Sequence, residues 1–139
     1  MRILFDTSAL YKRYSAEAGR AQVMALGEQA DEICVAAHGK SEIASALNRQ
    51  RHDGLIGDAD YQRIMAVVTQ EFFEFHYQAL DSRVEALAIA AMEKSHLGAM
   101  DALHIGSAKA AGVDLFVTAD KRQALAAEAV GLKTQLVAV

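Results

Sequence analysis

Four acids, Asp6, Glu42, Asp101 and Asp120, are the residues of this chain whose type and placement suit chemistry. Carboxylates brought within a few ångströms repel and raise one another's pKa unless a cation neutralises them. Hard oxygen donors with no cysteine ligand nearby favour Mg²⁺ or Mn²⁺ over zinc. Such a site, with one or two metals, activates a water and stabilises the leaving oxygen in phosphodiester hydrolysis. Ser8 and Thr118 are supporting candidates whose hydroxyls can position a ligand water; their structural alternative is turn or strand-end hydrogen bonding. Lys121 and Arg122, beside Asp120, are candidate phosphate contacts, as are Lys12, Arg13 and Arg49, and each also reads as a solvated surface charge. His104, three residues after Asp101 on the same helical face, is read as a structural histidine near the helix start, with a catalytic role as the alternative. His38 and Lys40 are read as a polar loop before Glu42, with substrate contact as the alternative.

The acids need elements that deliver them to one place. Ile3-Leu4-Phe5 is a short, wholly apolar run, as in a strand buried on both faces of a parallel sheet. Asp6 then stands at its carboxyl end, the edge where open α/β sheets bind ligands. Further strands are expected at Ile33 to Ala36, Phe72 to Ala79 (an edge strand), Leu115 to Thr118 and Thr134 to Val137. Helices are expected over Thr7 to Tyr14, Ala16 to Ala30, Ser41 to Arg51, Ala59 to Glu71 with Asp58 as cap, Asp81 to Ser95, Ala99 to Ala111 with Gly112 as stop, and Lys121 to Val130. Alternating strands and helices with short connections predict an α/β fold, a three-layer α/β/α sandwich around a central, mostly parallel five-stranded sheet. In that fold a helix leading into a parallel strand starts at the strands' carboxyl edge, so Glu42, Asp101 and Asp120 arrive beside Asp6.

Acids at helix starts also cap free amides and suit the helix dipole, and Asp58 and Asp81 occupy such places too. Convergence is therefore the discriminating feature, not the count. Asp6 is the hardest to explain structurally, because a carboxylate ending a buried strand needs a partner for its charge.

Residues 1–139 are expected to form one domain with a sizeable core. A hydrophobic share of 53% argues against disorder. The single cysteine, Cys34, sits in an apolar run and reads as a small buried hydrophobe suited to a reducing cytoplasm. No signal peptide or membrane span is expected, since the apolar runs are too short. The net charge of −4 counts against nucleic-acid binding, yet with four acids set aside the chain has as many acids as lysines and arginines.

The segments Phe5-Asp6-Thr7-Ser8-Ala9-Leu10, Ser41-Glu42-Ile43-Ala44-Ser45-Ala46-Leu47, Met100-Asp101-Ala102-Leu103-His104-Ile105 and Val117-Thr118-Ala119-Asp120-Lys121-Arg122, in this order, resemble the PIN-domain family. The likeness is closest to the small bacterial toxins of the VapBC type. It covers essentially the whole chain, and its ordered set of motifs is specific where each motif alone is not. The resemblance implies a metal-dependent endoribonuclease in which Asp6, Glu42, Asp101 and Asp120 are the metal-binding, catalytic cluster, with Mg²⁺ or Mn²⁺ as cofactor and RNA as substrate. It also implies a small antitoxin partner covering the acidic groove, and a homodimer. The segment Ala36 to Lys40 departs from the family's small and aliphatic pattern.

Two other classes compete. A receiver-like phospho-acceptor wants paired acids after its first strand, and a haloacid-dehalogenase-like phosphatase wants a second acid where Ser8 stands; both are disfavoured. A non-catalytic binding or dimerisation module is the other alternative.

Overall fold

The computed structural model describes residues 1–138. The chain forms β1 (Arg2–Phe5), α1 (Thr7–Leu10) running into a 3-10 turn (Tyr11–Arg13), α2 (Arg20–Gln29), β2 (Glu32–Ala36), α3 (Gly39–His52) and α4 (Asp58–Glu74). It continues through β3 (His76–Gln78), α5 (Ser82–Lys94), α6 (Ala99–Ala111), β4 (Leu115–Thr118), α7 (Lys121–Ala129) and β5 (Thr134–Leu136). The strands make one sheet in the order β3-β2-β1-β4-β5. Every pairing is parallel, so the expected mostly parallel sheet is wholly so.

Side-chain alternation on β1 explains the layers. Ile3 and Phe5 enter one core with Leu10, Val23, Ile43 and Val68, beneath α1 to α4. Leu4 points the other way, into a core with Cys34, Ala91, Ile105, Phe116 and Ala127, beneath α5 to α7. Each such side chain contributes roughly 1.5–3 kcal/mol on burial. β1 is therefore the centre of the molecule as well as of the sheet, and β3 is an edge strand as expected. No helix among the described residues is long and apolar enough to cross a membrane.

Three expectations about element limits are corrected. The helix expected from Ala16 begins only at Arg20, because the buried Lys12 ammonium takes the Ala18 carbonyl at 2.7 Å and Gly19 adopts φ 91°. Phe72 to Glu74 belong to α4, not to a strand. Phe72 stands one helical turn beyond the buried Val68 and packs into the same core, meeting Phe75 edge-on at 5.3 Å, so packing overrides aromatic strand preference. Asp58 is the first residue of α4 rather than its cap; Gly57 takes that place, and Arg51 reaches the Asp58 carboxylate at 3.3 Å.

α5 and α6 lie close enough to require a glycine between them. A Cβ on Gly106 would stand 2.5 Å from the Val84 carbonyl oxygen and 2.9 Å from the Ala88 nitrogen, and both are backbone atoms that cannot swing away. Gly106→Ala should therefore lower unfolding stability by about 1–3 kcal/mol. An unchanged urea midpoint would contradict this packing.

Candidate active site

β1 pairs with β4 so that Phe5 aligns with Val117, and the Asp6 amide continues the ladder by donating to the Val117 carbonyl at 3.0 Å. Asp6 is thereby fixed beside Thr118, and it is 3% exposed. Its Oδ1 accepts from Ser8 Oγ at 2.7 Å and from the Ala9 amide at 3.1 Å, and Thr118 Oγ1 donates to its Oδ2. The two hydroxyls are themselves held: Ser8 Oγ accepts from the Ala119 amide at 2.9 Å, and Thr118 Oγ1 from the Asp120 amide at 3.1 Å. Ser8 and Thr118 thus act on Asp6 and stitch the end of β1 to the end of β4. Burial pushes the Asp6 carboxyl above its usual range, and the nearby His104 and these three donors only partly offset it.

Glu42 enters from the first turn of α3. It caps no amide. Its Oε1 accepts from Thr7 Oγ1 at 2.6 Å and meets His104 Nε2 at 2.7 Å, with His38 Nε2 at 3.5 Å. Burial raises its carboxyl, but the bonds from His104 and Thr7 outweigh that, leaving it below the usual range. The His38 and His104 rings stand 4.2 Å apart, and His38 Nε2 also meets the Met100 carbonyl at 2.9 Å. Residue patterns noted both histidines singly but did not disclose that they meet at Glu42. His38 lies one helical turn before Glu42, which is the spacing that could have flagged it; His104 reaches Glu42 only because α6 packs against β2.

Asp101 sits in the first turn of α6, exposed to solvent and making no capping bond. Loss of water on its inner side raises its carboxyl, the charges of Asp120 and then Glu42 raise it further, and His104 and Arg122 pull it back. Asp120 does cap: its Oδ1 accepts from the amides of Arg122 at 2.8 Å and Gln123 at 3.3 Å. The buried Gln123 also reaches across, donating from Nε2 to the Asp101 carbonyl at 2.9 Å, and so ties the start of α7 to the start of α6. The capping explanation accordingly holds for Asp6 and Asp120 and leaves Glu42 and Asp101 without one.

Lys121 and Arg122 are exposed beside Asp120, and Arg122 also reaches the His96 carbonyl at 3.2 Å. Lys12 is buried, with its ammonium on Ala18 and Glu17, so it is neither a solvated charge nor a phosphate contact. Arg13 pairs with Glu71 at 2.7 Å. A cleft of about 560 Å³ is lined by Thr7, Ser8, Tyr11, Glu17 and Ala46, and none of the four acids lines it.

The PIN domain family model matches residues 3–129, and the chain belongs to the PIN domain family. Among solved structures it is similar to FitAcB from Neisseria gonorrhoeae, at 14% identity over 95% of each chain with a TM-score of 0.70. It is similar to VapC20 of Mycobacterium tuberculosis, described as a sarcin-ricin loop cleaving toxin, at 16% identity over 94% of this chain and 95% of that one, with a TM-score of 0.67. VapBC2 from Rickettsia felis, bound to a DNA fragment from its promoter, aligns at 10% identity over 99% of each chain with a TM-score of 0.71. No curated protein matched the chain by sequence.

The raised Asp6 carboxyl has a measurable consequence. An acid whose folded pKa exceeds its unfolded value loses stability as pH climbs from the unfolded value, about 3.9 for Asp, through the folded one. Asp6→Asn removes that loss. In chelator-treated buffer the variant should melt above the parent at neutral pH, and the gap should close as pH falls toward the unfolded value. A variant that melts below the parent at neutral pH would contradict the burial cost.

Proposed function

We propose that this chain is a Mg²⁺- or Mn²⁺-dependent endoribonuclease, the toxin of a VapBC-type toxin–antitoxin pair. The observation that supports it best is Asp101, an acid that caps nothing and whose carboxyl is raised first by partial burial and then by the charges of Asp120 and Glu42. A first-turn acid suits the helix dipole, but it gains nothing from a second acid at close range, and a cation would relieve that repulsion. Asp6, Glu42, Asp101 and Asp120 would hold the cation, and their oxygen donors fit it. When bound, the cation neutralises the carboxylates, polarises a phosphodiester and makes a water more acidic.

The chain's own residues do the remaining work. Ser8, Thr118 and the Ala9 amide fix both oxygens of Asp6. Preset orientation of this kind saves reorganisation during the reaction. Lys121 and Arg122 offer exposed positive charge to the substrate backbone at the start of α7. RNA is the proposed substrate because the M. tuberculosis neighbour is described as cleaving the sarcin-ricin loop. An antitoxin is the proposed partner because similar structures are toxin–antitoxin complexes, including one from Klebsiella pneumoniae. A homodimer is proposed on the family likeness alone.

Purified protein should cleave single-stranded RNA with Mg²⁺ or Mn²⁺ and stop when a chelator is added. Asp101→Asn should slow cleavage by at least about a hundredfold, equivalent to ~2.7 kcal/mol of barrier. Cleavage by Asp101→Asn at the parent rate would show that the site is wrong, and no cleavage by the parent with either cation would leave a binding module.

A further inference from the structure

The side chains drawn together most tightly at this edge are not the four acids. They are His38, Glu42 and His104, whose ligand atoms all lie within 4.8 Å of one another. Two histidines approach one carboxylate oxygen, His104 Nε2 at 2.7 Å and His38 Nε2 at 3.5 Å. Around a divalent ion with imidazole and carboxylate bonds of about 2.0–2.2 Å, neighbouring ligand atoms stand roughly 3–3.5 Å apart. The two histidine–glutamate spacings, 2.7 and 3.5 Å, bracket that range, and all three ligand atoms lie within 4.8 Å, so small side-chain shifts would close the set on an ion. Three different constraints set the positions: His38 precedes α3, Glu42 stands one turn inside it, and His104 is buried on α6.

We propose that His38, Glu42 and His104 form a mixed nitrogen–oxygen site that takes a divalent first-row transition ion, zinc for example, in preference to Mg²⁺. Imidazole suits zinc, iron and nickel, while Mg²⁺ holds to oxygen ligands and gives up its waters reluctantly. The ion competes with the Met100 carbonyl for His38 Nε2 and with the Thr7 hydroxyl for Glu42 Oε1. Both competitors are neutral oxygens at an edge that is otherwise acidic. The site shares Glu42 with the proposed nuclease centre but does not rest on RNA cleavage. Its effect on that centre is selection of the metal: nitrogen donors stand next to an all-oxygen set.

Calorimetric titration of chelator-stripped protein tests this, with Zn²⁺ and Mg²⁺ as separate probes. Zn²⁺ should bind at least about a hundredfold more tightly than Mg²⁺. His38→Ala, a change at a partly exposed position, should weaken Zn²⁺ by at least about tenfold while Mg²⁺ binding stays as in the parent. With Mn²⁺ as a paramagnetic probe, pulsed EPR of the parent should show nitrogen couplings, reduced in His38→Ala. Parent-like Zn²⁺ affinity in a folded His38→Ala protein, or nitrogen couplings that His38→Ala leaves unchanged, would overturn the proposal. An RNA-cleavage assay on the same samples separates the two readings, since loss of either result leaves the other standing.

Discussion

A carboxylate held in the interior at the end of the central strand constrains everything around it. Asp6 is placed by the apolar run of β1, packed between two helical layers, and cannot withdraw to water without breaking the sheet. Its negative charge in that position is unfavourable, and the protein answers with local donors: two hydroxyls and an amide. Those donors come from α1 and from β4, so holding Asp6 also locks the two central strands at their carboxyl ends. The donors do not fully offset burial, and the remaining cost is what the proposed cation would relieve.

The other acids extend the same imbalance outward. Asp120 is anchored by the amides of α7, and Gln123 couples that anchor to the backbone of Asp101. Asp101 then faces like charge from Asp120 and Glu42 at the solvent boundary. Glu42 is treated differently. Its charge is matched within the protein by His104 and Thr7, which lowers its carboxyl instead of raising it. The edge therefore has an incompletely compensated side at Asp6 and Asp101 and a self-satisfied side at Glu42, next to the histidines.

Much of this was legible in the chain. The limits of β4 and α6 follow from four apolar-to-polar residues and a glycine that ends a helix in the left-handed conformation. The placing of four acids on one edge follows from topology, because parallel strands and their helices alternate direction. What could not be read depended on contacts between distant segments. Ala16-Glu17-Ala18 favour a helix by composition, but a buried lysine from the preceding turn claims the carbonyl of Ala18. Phe72 looks like strand and is held in helix by the core it shares with Val68. His38 and His104 are 66 positions apart in the sequence and become neighbours only through the docking of α6 on the sheet.

The account depends on unrelieved negative charge at the carboxyl edge of β1. NMR titration of the Asp6 and Asp101 side-chain carboxyls, with and without Mg²⁺, measures that charge directly. Both should titrate above an ordinary aspartate in chelator-treated protein, and both should fall when the cation is added. Two carboxyls that titrate at ordinary values and ignore the cation would contradict the account.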